Sequence, residues 1–296
     1  MNNFSKPSQN KINGGLIFLI MIFAFLLSSL IGQAILLAFG VDEGLLFTAV
    51  NSLFSILAII FAIAFVKISS NESCRKLCSI NKFEWFYILP ALLLSAGMFC
   101  GLGFLNYAVA SVFYSLGLKP SAVSISVVSF WDLLIFTLCV GVLPAVFEEC
   151  FFRGVLLSNL KGRSYLVILT LSFCFAIYHG NFIQFFYQLI YGFALYLLAV
   201  KSKSVLPGVI SHFINNFVVI LLVYLKAEIN FFSPVLICIG LMLLALFFIC
   251  LVFYRKKESC FTVQLSGETS LSSFFVPFGA IAVFLMSLLA LLGLFA

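Results

Sequence analysis

Charge is what this chain lacks. Only 9% of its 296 residues are Asp, Glu, Lys or Arg, and 64% are hydrophobic. A soluble domain carries about 25% charge, so a soluble globular fold is excluded. The short period-two strands of an outer-membrane barrel are missing as well. The apolar runs instead last about twenty residues or more, which is helical span length. The composition therefore specifies an all-α fold, a polytopic transmembrane helical bundle.

Other absences narrow the function. There is no basic stripe with interleaved aromatics on a polar segment, so the net charge of +6 gives no nucleic-acid signal. The nine cysteines show no metal-binding spacing; Cys74 and Cys78 stand four apart with no matching pair or nearby His. No soluble domain or low-complexity tract interrupts the chain, and the segments 68–85 and 255–273 are its longest polar connectors. Paired broken helices in symmetry-related halves, the mark of many transporters, are not found. A compact chain without long soluble loops suits a multi-pass protein of a bacterial plasma membrane.

Candidate spans fall at about 15–40, 45–67, 86–114, 130–152, 164–179, 182–200, 205–225, 232–254 and 274–295, which gives eight to nine. Only Gly180 and Asn181 separate the fifth from the sixth, so this pair is expected to form a tight hairpin that does not fully cross. The apolar stretch Leu16–Phe39 exceeds a signal-peptide core of about 7–15 residues, so an uncleaved first span is expected despite the faint cleavage-like Gly32-Gln33-Ala34. With nine spans and a cytoplasmic N-terminus, every Lys and Arg except Lys119 and Lys226 falls on the inside. Three parts follow: spans 1–129, a central group 130–225, and spans 226–296.

Lone polar residues on spans, namely Gln33, Asn51, Asn106, Gln184 and Gln188, are expected to act as interhelical glue. Asp132 is expected at the outer interface. Gly97, Gly101 and Gly103 suit internal packing as well as association between chains.

The central group holds something different: Glu148-Glu149-Cys150-Phe151-Phe152-Arg153-Gly154 inside an apolar run. Each ionisable residue at bilayer mid-depth costs about 2.5–3.5 kcal/mol on insertion scales, so three in six residues need partners. Glu149 and Arg153 are four apart and share a helical face. Glu148 is turned by about 100° and cannot be served equally by the same guanidinium. A carboxylate in low dielectric without its own counter-ion is suited to take up a proton.

The only two histidines lie downstream. His179 follows Phe175 by four residues, and His212 precedes Asn216 by four, which places His212 and Asn216 on one face. These two can offer hydrogen bonds to a developing oxyanion, while Asn215 points elsewhere. At 1.5 Å per residue, Glu148 lies about 20 Å from Lys161 and His179 about 24 Å from Arg163; His212 lies about 14 Å and Asn216 about 20 Å from Lys203. All four therefore sit at intermediate depth. Glu148, His179 and His212 could also hold zinc with an open fourth position. However, there is no His-Glu-x-x-His, and metal-free activation of water by Glu148 is the simpler chemistry, with no cofactor.

Taken in order, Glu148-Glu149-x-x-x-Arg153, Phe175-x-x-x-His179 and His212-x-x-x-Asn216 resemble the three motifs of the CAAX protease and bacteriocin-processing (CPBP, or Abi) family. The resemblance covers about residues 130–225. It implies a helical intramembrane endopeptidase in which Glu148 is the general base and His179 helps to hold the water. It further implies that His212 and Asn216 stabilise the oxyanion, with Glu149 and Arg153 as supports behind them. The partners implied are the lipid bilayer and a membrane-embedded or membrane-associated peptide, reaching the site from the membrane or the cytoplasmic face. Peptide maturation, bacteriocin self-immunity and cleavage of a membrane partner are the roles that fit. The rivals are a non-catalytic immunity or binding protein of the same fold, and a zinc-dependent protease.

Overall fold

The computed structural model describes residues 12–41, 44–70, 72–117, 127–253, 264–267 and 269–279. Its apolar helices are α1 (Gly14–Ala38), α2 (Gly44–Ser70), α3 (Trp85–Ser115), α4 (Phe130–Asn159), α5 (Ser164–Tyr178), α6 (Phe185–Ser202), α7 (Leu206–Tyr224) and α8 (Pro234–Phe253). Among the described residues, seven are long and apolar enough to cross a membrane. The exception is α5, whose 15 residues rise about 22 Å, short of a hydrocarbon core of about 30 Å. The all-α expectation holds, and these helices coincide with the first eight expected spans. Of the ninth, 274–295, residues 274–279 are helical and the rest lies outside the described residues.

Hydrogen-bonding groups at the helix ends explain where several helices start and stop. The side chain of Asn13 accepts from Gly15 N at 2.7 Å and so caps α1. Asp132 is not merely an interfacial carboxylate. It forms a capping box with Ser129: its carboxylate accepts from Ser129 N at 2.8 Å, and Ser129 Oγ accepts from Asp132 N at 3.1 Å. Gly180 ends α5 with φ +59°, a left-handed conformation that glycine adopts without strain. α5 and α6 then pack along each other as the expected hairpin.

One end of the bundle gathers the basic segments. Asn81 Nδ2 donates to Lys203 O at 2.8 Å, and Tyr87 OH donates to Lys201 O at 2.9 Å. Asn159 Nδ2 donates to Ile12 O at 3.2 Å, and Gly14 N to Thr269 Oγ1 at 3.2 Å. Strands β1 (Lys161–Arg163) and β2 (Gln264–Ser266) pair antiparallel at the same end, with Lys161 opposite Ser266. The sequence reading treated 255–273 as a plain connector, because a three-residue strand is too short to show a period. The connections between α5 and α6 and between α7 and α8 lie at the other end.

α3 breaks at Gly103 into Ile88–Leu102 and Phe104–Ser115, and its first part packs against α7 and α8. A Cβ on Gly97 would lie 2.8 Å from Leu244, and one on Gly101 would lie 2.8 Å from the backbone of Gly240. These glycines therefore serve internal packing, by letting two backbones come together. Gly101→Leu should destabilise the protein by about 1–3 kcal/mol through overpacking. An unchanged thermal midpoint in detergent would show that this crossing is not close.

Candidate active site

The helix that carries the two glutamates is irregular. Within α4, Thr137–Val142 and Cys150–Leu156 are π-helical. Pro144 lies between them and has no N–H to donate. Its missing N–H would serve Val140 O in an α-helix and Cys139 O in a π-helix. Both carbonyls find partners on other helices: Asn216 Nδ2 donates to Val140 O at 3.1 Å, and Ser52 Oγ donates to Cys139 O. Widened turns of this kind often occur at functional sites.

Beyond Pro144, the expected pair forms across the start of the second π segment. Arg153 Nη1 donates to Glu149 Oε1 at 3.0 Å, and both residues are buried, at 1% and 0% exposure. Arg153 Nη2 donates to Gly192 O at 3.2 Å. The guanidinium also lies 4.1 Å from the centre of the Phe175 ring and 4.4 Å from that of Tyr196. Glu149 Oε1 accepts a further hydrogen bond from His212 Nδ1 at 3.0 Å. Gly208 leaves room for this carboxylate, since a Cβ there would lie 2.9 Å from Glu149 Oε2.

Glu148 takes no part in that network. It is buried, and its Oε2 has no hydrogen-bond partner. That oxygen lies 3.9 Å from His179 Nε2 and 3.9 Å from His212 Nε2. These gaps are too long for direct hydrogen bonds and are suited to a bridging water. His179 is held by its other nitrogen, which lies 2.8 Å from Phe175 O. A carbonyl can only accept, so Nδ1 carries the proton, and Nε2 of the neutral ring presents a lone pair toward Glu148. The Phe-x-x-x-His spacing has a local cause: residue i+4 bonds back to a carbonyl of the last helical turn.

The structure thus brings Glu148, His179 and His212 together, with Glu149 and Arg153 behind them. Asn216 lines the same cavity, but one of its amide hydrogens is engaged by Val140. The cavity measures about 820 Å³. Its walls include four residues that sequence reasoning missed or set aside as glue: Asn106, Gln184, Tyr187 and Gln188. Asn215, also on the wall, accepts from Tyr187 OH at 2.6 Å. A signal was present in the sequence, since Gln184, Tyr187, Gln188 and Tyr191 recur at helical spacing and make one polar face of α6. Among the described residues, no group of three or more His, Cys, Asp or Glu is placed to hold a metal ion.

The double use of Asn216 can be separated by stability. Asn216→Ala leaves the Val140 carbonyl unpaired and should cost about 1–3 kcal/mol. In a Pro144→Ala background the restored N–H can take that carbonyl, so the same substitution should cost less. Equal losses in both backgrounds, measured by thermal unfolding, would show that Asn216 does not replace the missing proline N–H.

Comparison with known proteins agrees with the motif order. Residues 130–218 match the family model described as type II CAAX prenyl endopeptidase Rce1-like, a span that contains all three motifs. No curated protein and no solved structure matches the chain.

Proposed function

We propose that this chain, whose residues 130–218 belong to the CAAX protease (CPBP) family, is an intramembrane endopeptidase that uses a glutamate-activated water. One observation carries the reading. A buried carboxylate oxygen without a partner, Glu148 Oε2, stands 3.9 Å from two imidazole nitrogens held from behind.

A water between Glu148 Oε2 and His179 Nε2 donates one hydrogen to each. Its oxygen lone pair is then directed at a carbonyl carbon. Attack forms the new C–O bond while a water proton passes to Glu148. His212 serves the oxyanion when its Nε2 carries a proton, a form whose charge Glu149 balances across Nδ1. The remaining amide hydrogen of Asn216 is the second donor. Collapse of the intermediate breaks the C–N bond, and Glu148 returns the proton to the leaving amine. Arg153 acts through Glu149 and touches no reacting atom.

The zinc-dependent alternative uses the same three side chains. Two ligands on a tetrahedral zinc stand about 3.4 Å apart, so at 3.9 Å Glu148 would have to move inward to share a metal with either imidazole. Water activation needs no such movement. The substrate is a membrane-associated peptide, and the setting is a multi-pass protein of a plasma membrane. Peptide maturation, bacteriocin self-immunity and cleavage of a membrane partner are the roles this chemistry would serve.

Membrane peptides from cells with the wild-type protein and with Glu148→Gln should differ by the cleaved species. The rate should fall about 10²–10⁴-fold, the contribution of a positioned general base. Processing at the wild-type rate by Glu148→Gln would end the proposal. Loss of wild-type activity on chelation, restored by zinc, would favour the metal-dependent version. A cellular effect that survives Glu148→Gln would favour a binding or immunity protein.

A further inference from the structure

The cavity has a direction. Its lining on α7 begins at His212 and continues outward to Val223, then into the exposed loop at Lys226 and Glu228. On α6 it takes only the first turn, Gln184 to Gln188. None of the residues at the basic end, such as Asn81, Asn159, Lys161 or Lys201, lines it. Behind Glu148 the described residues pack together. Tyr191 OH lies 3.0 Å from Ser211 Oγ, Ser211 Oγ lies 3.1 Å from Ser95 Oγ, and Phe151, Phe152 and Phe175 are fully buried.

Two side chains on the wall specify an occupant. Asn106 Oδ1 and Gln188 Oε1 are buried acceptors without partners. Leaving such groups unmatched costs free energy, and a donor from the occupant relieves it. A hydrocarbon chain has no donor to offer. An extended peptide has a row of N–H groups, and the apolar residues around them, Phe99, Val219 and Phe231 among others, suit its side chains.

We infer that the cavity admits an extended peptide from the end of the bundle opposite the basic loops, with Asn106 and Gln188 accepting from its main chain. Basic loops face the cytoplasm by the positive-inside rule. The mouth therefore lies on the non-cytoplasmic face, and the substrate is a segment presented from that side. Of the two routes expected from the sequence, the membrane or the cytoplasmic face, the second gives way, because none of the cavity's lining lies at the basic end. This assignment rests on the endopeptidase reading for what happens to the peptide, but not for where it binds.

The test needs no turnover. Val219→Cys places a thiol in the cavity wall, and the native Cys74, which is exposed, reports on the basic end. A sulfonated, membrane-impermeant maleimide added to intact cells should label Val219→Cys and leave Cys74 unmodified until the membrane is opened. Labelling of Cys74 alone from outside, or of Val219→Cys only after opening, would overturn the direction. In a Glu148→Gln background, a ten-residue Leu/Ala peptide with a charged tail should protect the cavity thiol, and farnesol should not. Asn106→Leu combined with Gln188→Leu should weaken that protection about tenfold or more, as expected for losing two hydrogen bonds. Equal protection by farnesol, or protection indifferent to the two substitutions, would overturn the peptide assignment. Because labelling does not depend on catalysis, these outcomes stay separate from the failure of Glu148→Gln to abolish processing.

Discussion

A guanidinium sealed from water sets the terms for the other polar residues of the bundle. Removing one ion from water costs several kcal/mol even after relaxation, and the attraction of a partner offsets this only in good geometry. Arg153 meets that demand with Glu149, with the Gly192 carbonyl and with two aromatic faces. Its claim on Glu149 is what frees Glu148. Two adjacent carboxylates on one helix cannot point the same way, so satisfying the first denies the second the same counter-ion. Glu149 then shares its oxygen with His212 Nδ1, which turns Nε2 of that ring toward Glu148. One buried cation thereby orients both the carboxylate that stays free and the imidazole that faces it.

The backbone of α4 carries a second constraint. In hydrocarbon, every carbonyl must be satisfied within the protein. Pro144, four residues before Glu148, cannot satisfy those behind it, and the widened turn needs help from α2 and α7. That help fixes α7 against α4 at the level of the three motifs. Asn216 is thus tied to the placement of α4 before any question of an oxyanion arises. In the proposed mechanism, an amide whose other hydrogen is already engaged is a rigid donor, which suits electrostatic stabilisation that must be in place before the reaction.

Much of this was legible in the residues. The scarcity of charge gave the membrane bundle, and the four-residue spacing of Glu149 and Arg153 gave their pairing, which survives the change from α- to π-helical turns. The isolation of Glu148 followed from its neighbour being taken. Less could be read where the answer depends on tertiary placement. Asn106, Gln184 and Gln188 look like any polar residue in a span, because a side chain that bonds a neighbouring helix and one that faces a cavity have the same local sequence. The strand at Gln264–Ser266 is too short for periodicity. The π segments leave no mark except Pro144, and a proline in a membrane helix more often signals a kink.

Hydrolysis within a bilayer sets two requirements that pull against each other. Water must reach Glu148, yet a continuous wet path would breach the membrane. A cavity that opens only away from the basic loops, as inferred above, would meet both. Behind Glu148 stand the Ser95–Ser211–Tyr191 chain and the Arg153–Glu149 pair, in which Arg153 Nε and Glu149 Oε2 keep no partner, with buried phenylalanines filling the space around them. Polar groups already matched within the protein have little to gain from water. Three unmatched acceptors, Glu148 Oε2, Asn106 Oδ1 and Gln188 Oε1, belong to residues that line the cavity, while Glu149 Oε2 and Tyr196 OH are unmatched outside its lining.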